Sequence, residues 1–265
     1  MTAFAFDPSL PRTALVTGGA RRIGRTLCVS LAQAGFNVAV HYGQSMDAAH
    51  ALVNELRALN VQACALQADL NDECAVAQLI ASATRDLGTV GVLVNNASHF
   101  NYDVLTQPEP LSLAHFERHW RTNTFAPLLL TQQLAQGLHV TQTGVVLNIL
   151  DQKLHNPNPD FLSYTLSKSA LEHATTLAAM ALAPRVRVVG IAPGLSLPSG
   201  DQTQDDFAHA HNATILQRGS TPDDVAQAML YALSARSMTG TTLLVDGGQH
   251  LSAQARDVMF THRAN

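Results

Sequence analysis

The sequence predicts an α/β fold, a single domain over residues 1–265 built as a doubly wound parallel seven-stranded sheet with helices on both faces. Three observations predict it. Short apolar runs alternate with amphipathic stretches along the whole chain. The loops between them are short, with no Ser/Gly linker, repeat or low-complexity tract to mark a boundary. With 265 residues, 46% of them hydrophobic and 14% charged, the chain is long enough to bury one substantial core.

Taken in order, strand-like runs fall at Ala14 to Thr17, Asn37 to Tyr42, Gln62 to Leu66 and Gly91 to Asn95, then at Gly144 to Leu150, Arg187 to Ala192 and Thr242 to Val245. Helical periodicity falls between them, at Ile23 to Ala34, Asp47 to Leu59, Glu73 to Asp86, Leu113 to His139, Phe161 to Ala183 and Pro222 to Leu233. One stretch breaks the pattern. Leu195 to Arg218 is polar, rich in Asp, Gln and His, and reads as a mobile flap over a site.

The composition narrows the function. A formal net charge of -4 without any Lys/Arg block argues against a nucleic-acid surface, where clustered cations are required. Small molecules are the expected partners. Neither an export signal at the start nor a membrane-length apolar run appears, and Cys28, Cys64 and Cys74 lack metal-type spacing. Reduced core thiols in a cytoplasmic protein follow as the expectation. Asp205, Asp206 and His209 have helical spacing but no second ligand cluster, so a solvated face is expected there and no metal.

The first strand ends in Thr17-Gly18-Gly19-Ala20-Arg21-Arg22-Ile23-Gly24, directly before a helix. Strand, glycine-rich turn and helix form the context in which backbone amides approach a pyrophosphate at a helix N-terminus. An ordinary tight turn gives the same local pattern. At the end of the second strand, where a carboxylate would bond a ribose diol, the chain has His41, Tyr42, Gly43, Gln44 and Ser45. No acid guards the position, and Arg21 and Arg22 offer guanidinium groups to a 2′-phosphate, so NADPH is expected over NADH. Their alternative is as solvated residues at a helix start. Asp69-Leu70 is placed to hold adenine, unless Asp69 caps the next helix. Asn95-Asn96-Ala97 supplies amides that brace the sheet and approach the adenine ribose.

The chemistry sits further on, where Asp151 precedes Tyr164 by thirteen residues and Lys168 follows Tyr164 by one helical turn. A phenol beside an ammonium is expected to have its pKa lowered toward neutrality, which suits a proton donor and acceptor. Asp151 could also cap a helix or face water. Phe100 is either core or part of a binding wall.

These residues resemble the short-chain dehydrogenase/reductase family over nearly the whole chain. The resemblance rests on the turn Thr17 to Gly24, Asn95-Asn96-Ala97, Asn123, Tyr164-x-x-x-Lys168 and Pro193-Gly194. It implies a Rossmann-like fold, hydride transfer with nicotinamide, Tyr164 as acid/base, Lys168 on the nicotinamide ribose and Asn123 supporting a relay water. Most members carry serine where this chain has Asp151. A carboxylate beside a carbonyl oxygen repels developing negative charge, whereas an imine-like ring nitrogen needs a proton.

That substitution is similar to the pteridine reductases and dihydromonapterin reductases, as are Arg21-Arg22-Ile23-Gly24, His41-Tyr42, Asn96-Ala97-Ser98-His99-Phe100, Leu150-Asp151 and Pro193-Gly194-Leu195-Ser196. The subgroup implies that Arg22 and Ser98 reach both cofactor phosphate and substrate. It also implies that Phe100 stacks a pterin against nicotinamide, that Ser196 bonds the nicotinamide-side phosphate, and that a homotetramer forms around the helices Leu113 to His139 and Phe161 to Ala183. Gln44 departs from the subgroup's usual arginine. Two rival functions stay open: reduction of a 3-oxoacyl thioester or sugar carbonyl, and a catalytically idle NADPH-binding sensor.

Overall fold

All seven expected strands form, with ends shifted by a residue at most: β1 Thr13–Val16, β2 Asn37–Tyr42, β3 Ala63–Gln67, β4 Val90–Asn95, β5 Gly144–Ile149, β6 Val186–Pro193 and β7 Thr242–Val245. The computed structural model describes residues 4–198 and 203–260. The strands pair in the order β3-β2-β1-β4-β5-β6-β7, parallel throughout. The helices are α1 Arg22–Gln33, α2 Met46–Arg57, α3 Glu73–Val76, α4 Leu79–Leu87, α5 Leu113–Trp120, α6 Ala126–Gly137, α7 Leu162–Leu182, α8 Gln204–Asn212 and α9 Pro222–Ser234.

Alternation along the strands explains the two layers, because successive side chains leave opposite faces of a sheet. Ala14 and Val16 of β1, with Val92 and Val94 of β4, join residues of α1, α2 and α9 in one core. Leu15 and Leu93 point the other way and join residues of α4, α6 and α7. The chain crosses from β1 outward to β3, then returns to lay β4 on the other flank of β1. That reversal opens a crevice at the carboxyl ends of β1 and β4, the general ligand position in such sheets.

Four features differ from expectation. The helix expected over Glu73 to Asp86 divides into α3 and α4, with Asp72 capping α3 by accepting from the Cys74 and Ala75 amides. The helix expected over Leu113 to His139 contains a π-turn at Arg121–Phe125, a form often found at functional positions, and Asn123 lies in it. The polar stretch expected as a flap over 195–218 includes 199–202, which lie outside the described residues. From Thr203 it folds as α8, closed by a capping box between Thr203 and Asp206. Of the three cysteines only Cys28 is buried, Cys64 being half-buried and Cys74 exposed.

Candidate active site

The glycine-rich turn is packed against the end of β4. Gly18 has φ +60°, and a Cβ there would stand 3.0 Å from the Ala97 Cα. At Gly24 a Cβ would come within 2.2 Å of the Gly18 carbonyl oxygen, so neither position accepts a larger residue. Asn96 Nδ2 donates to the carbonyls of Thr17 (2.9 Å) and Gly18 (3.1 Å), and the Thr17 hydroxyl accepts from the Asn96 and Ala97 amides. Asn95 Nδ2 ties β4 to β5 through Asn148 Oδ1 at 2.8 Å. Both asparagines therefore brace the scaffold.

The residues fit a pyrophosphate. Helix α1 is preceded by Arg21 at its N-cap, with no side-chain cap bond and no acid in its first turn, whereas α8 and α9 carry capping boxes. Its first amides and positive dipole end thus stay available to an anion. Arg21 and Arg22 are exposed there, and Arg22 takes a left-handed conformation (φ 53°). A non-glycine residue in that region stores backbone strain. Its Nη1 donates to the Pro198 carbonyl at 2.9 Å. Ser45 heads α2 without making a cap bond.

His41 and Tyr42, expected among the cofactor-binding residues, have their side chains turned inward. His41 is 2% exposed; Nδ1 accepts from the Gly18 amide at 3.1 Å, which leaves Nε2 to donate to the Ala68 carbonyl at 3.2 Å. Burial pushes its pKa down to about 4 and keeps the ring neutral. Its part is to shape the turn. Asp69 is exposed and accepts from the Asn71 amide and side chain at 2.9 Å each. Those bonds hold its carboxyl below the usual range, and the cap of the next helix is Asp72. Leu70 is buried, and Ser196 Oγ shares a 2.7 Å hydrogen bond with Ser220 Oγ.

Asp151 leaves the end of β5 and Tyr164 and Lys168 rise from the first turns of α7. The Tyr164 hydroxyl donates to Asp151 Oδ2 at 2.7 Å, while Asp151 Oδ1 accepts from the Lys153 amide at 2.9 Å. Lys168 Nζ donates to the Ile149 carbonyl at 2.7 Å and lies 6.0 Å from the centre of the Tyr164 ring. The expected lowering of the tyrosine pKa is reversed. Burial and the adjacent carboxylate raise it well above the ordinary value, because a second negative charge at 2.7 Å is penalised more than the distant ammonium repays. Burial likewise raises the Asp151 carboxyl, and it lowers Lys168 to about 8. Tyr164 is therefore a neutral phenol, a hydrogen-bond donor poised against an acceptor.

The Asn123 side chain is engaged within the protein. Its Oδ1 accepts from the His99 amide (2.7 Å) and the Ser98 hydroxyl (3.3 Å), and Nδ2 donates to the His99 carbonyl and Ser167 Oγ, both at 2.9 Å. That uses the full capacity of the side-chain amide and leaves only the backbone to support a relay water. The side chain pins the loop carrying Ser98 and Phe100 to α7.

A cleft of about 150 Å³ joins these groups, lined by Arg22, Ile23, Phe100, Asp151, Gln152, Lys153, Gly194, Leu195, Ser196, Leu197, Gln249, Asp257, Val258 and Met259. Half of that lining is polar or charged. The Phe100 ring stacks on Phe161 at 4.2 Å and meets Tyr164 edge-on at 4.7 Å, so one of its faces is taken and it remains 38% exposed. From sequence, Gln152 to Phe161 is expected only as a polar loop over the site, with no role for Lys153 or Phe161, and Gln249 and Asp257 are not anticipated at all.

A family model for the short chain dehydrogenases matches residues 12–206. The chain belongs to the short-chain dehydrogenase family. Among curated relatives of this dehydrogenase, a 3-oxoacyl-[acyl-carrier-protein] reductase FabG of Staphylococcus epidermidis is 31% identical over 251 residues, covering 91% of this chain and 99% of its own. The 7alpha-hydroxysteroid dehydrogenase of Escherichia coli K12 is 32% identical, covering 89% and 93%. Among solved structures, FolM alternative dihydrofolate reductase 1 from Brucella canis, complexed with NADP, is 40% identical with a TM-score of 0.88, covering 94% and 98%. This short-chain dehydrogenase is thus an oxidoreductase of that family, similar in sequence to carbonyl and hydroxyl enzymes and in structure to FolM.

Proposed function

We propose that this short-chain dehydrogenase is an NADPH-dependent, pteridine reductase-like enzyme that reduces a dihydropterin or related pterin. The 2.7 Å hydrogen bond from Tyr164 to Asp151 carries the reading. A ketone accepting hydride develops negative charge on its oxygen, which a neighbouring carboxylate repels. A ring nitrogen of a C=N bond takes a proton instead, and the Asp151–Tyr164 pair is a proton source beside the cleft. NADPH, when bound, supplies the hydride.

The chain's own residues do the rest. Tyr164 hands its hydroxyl proton to the substrate nitrogen, the Lys168 ammonium is the group with a proton to restore it, and Asp151 orients the hydroxyl by accepting its hydrogen bond. Phe100, backed by Phe161, offers one aromatic face to a planar ring, and offset stacking contributes about 0.5–1.5 kcal/mol beyond burial. Half of the described lining is polar or charged, which suits a flat polar bicycle. The NADP of the Brucella canis FolM structure supports the cofactor choice, as do the uncapped α1, Arg21, Arg22 and Ser45 without a cap bond. Gly18, Ile23, Gly24, Ala97, Ser98, Pro193, Gly194 and Ser196 complete the proposed cofactor cradle.

A homotetramer is part of the same reading. Trp120, Phe125 and Leu128, on α5, the π-turn and α6, and Leu166, Leu177 and Met180 on α7 are exposed apolar side chains on the two long helical segments expected at the interface. Among the described residues no helix is long and apolar enough to cross a membrane. The three free thiols support a cytoplasmic setting. The deciding experiment compares NADPH oxidation with 7,8-dihydrobiopterin or dihydromonapterin against an acetoacetyl thioester. Faster turnover of the thioester overturns the reading, and activity on neither revives an idle NADPH-binding protein.

A further inference from the structure

After β7 the chain returns across the mouth of the cleft, and Asp257, Val258 and Met259 form part of the lining. Two ion pairs hold this segment. Lys153 Nζ meets Asp257 Oδ2 at 2.9 Å, with side chains 4% and 14% exposed, and Arg256 meets Asp160 at 2.8 Å, with Asp160 1% exposed. The Asp257 amide donates to Asp160 Oδ2 at 2.7 Å, and Asn156 Nδ2 donates to the Ser252 carbonyl at 2.7 Å. Phe260 meets Tyr102 edge-on at 5.2 Å and stacks on Phe161 at 6.0 Å.

Lys153 belongs to both halves of this arrangement. Its backbone amide is the donor that holds Asp151 Oδ1, and its side chain also bonds Asn158 Oδ1 and lies 5.8 Å from the centre of the Phe161 ring. A buried ammonium is stable only while its counter-charge stays in place, since removing one partner leaves an uncompensated charge in a poor solvent. That counter-charge comes from the C-terminal segment. Undocking of residues 252–260 therefore opens the cleft and at the same time frees the residue whose amide orients Asp151.

We propose that Lys153 is a positioning residue for the Asp151–Tyr164 pair, and that residues 252–260 form a substrate-facing wall whose docking through Asp257 sets that position. The kinetic half of this proposal rests on the pterin reading above; the structural half does not. Holding the reacting groups in register is worth much of the rate, and an error near 1 Å costs about 100-fold. The wall thus contributes to kcat as well as to substrate binding.

The test uses the NADPH-bound full chain and three variants: Asp257→Asn, Lys153→Met and the double variant Lys153→Met/Asp257→Leu. The double variant leaves neither charge buried alone. Amide hydrogen exchange is read over 252–260 and at Lys153, with kcat and KM for dihydrobiopterin and the NADPH Kd beside it. Asp257→Asn is expected to speed exchange at both places and to lower kcat by about 10- to 100-fold with the NADPH Kd unchanged. The double variant is expected to match the worse single variant within about 2-fold, the signature of one coupled unit. Unchanged exchange at Lys153 in Asp257→Asn, or a double variant whose loss is the product of the singles, overturns the proposal. If wild type prefers the acetoacetyl thioester, the pterin reading falls while the exchange measurements still decide the coupling.

Discussion

Replacing Asp151 by serine restores the residue most family members carry and removes the group on which the pterin reading turns. A serine oxygen sits one bond nearer the backbone than a carboxylate oxygen, so the Tyr164 hydroxyl loses its acceptor at 2.7 Å. A hydrogen bond of that length to a charged group is worth about 1.5–3 kcal/mol, equivalent to about 10- to 150-fold in rate. Loss of the hydroxyl's orientation adds to this, and positioned acid–base groups contribute about 10²- to 10⁴-fold in all. The expected result in Asp151→Ser is a fall in kcat for dihydrobiopterin within that range, with an unchanged NADPH Kd by fluorescence titration and a rise in acetoacetyl thioester turnover. The pH profile moves too. Asp151 is one of the causes raising the Tyr164 pKa, so its removal shifts the alkaline limb of kcat/KM to lower pH. Pterin turnover within about 2-fold of wild type would refute the reasoning, because it would leave the carboxylate with less effect than one ordinary hydrogen bond.

Other perturbations test the frame around that pair. His41 stays neutral down to about 4 in the fold but titrates near 6.5 when unfolded, so the unfolded chain binds the extra proton between those values. Stability therefore drops by about 3 kcal/mol as pH falls through that window, and urea unfolding of His41→Leu should lack this component while showing a weaker NADPH Kd. Lys168, at about 8 in the fold against about 10.4 unfolded, gives the same sign at alkaline pH: stability rises from pH 8 upward, and the rise is missing in Lys168→Met. Arg22→Gly relieves a left-handed backbone and should unfold at no lower denaturant concentration than wild type, while the ratio of NADH to NADPH affinity improves about 10-fold. Trp120→Glu paired with Leu177→Glu should shift sedimentation from the proposed tetramer to smaller species, and an unshifted boundary would remove those helices from the proposed interface.

The sequence made legible what backbone spacing decides. Four residues separate Tyr164 from Lys168 and one turn of α7 carries both; thirteen separate Asp151 from Tyr164, and the strand end meets the helix start at hydrogen-bond distance. The glycine turn was equally open to reading, since only glycine tolerates the contacts found at Gly18 and Gly24. Even the helix inside the expected flap had a local signature, the capping pair Thr203 and Asp206, that the polar composition of the stretch concealed. What escaped depends on burial or on distant chain. Lys153 and Asp257 lie 104 residues apart, and no periodicity anticipates that the segment after β7 turns back to the cleft.

The reversed tyrosine pKa shows why spacing alone misjudges such a site. Counted along the chain, an ammonium one turn away stabilises tyrosinate; counted in space, burial and the carboxylate both disfavour it. His41 and Asn123 follow the same logic. Each occupies a position where an exposed polar group would serve a ligand, yet the first is needed as acceptor for the Gly18 amide and the second as a double clasp on the loop at Ser98 and His99. A buried polar group left without a partner costs about 1–3 kcal/mol, so neighbouring backbone amides claim such side chains before a ligand does. By that rule the groups left to meet substrate are those with capacity to spare, and in this cleft they include the Asp151 carboxylate, whose oxygens accept one hydrogen bond each from Tyr164 and Lys153.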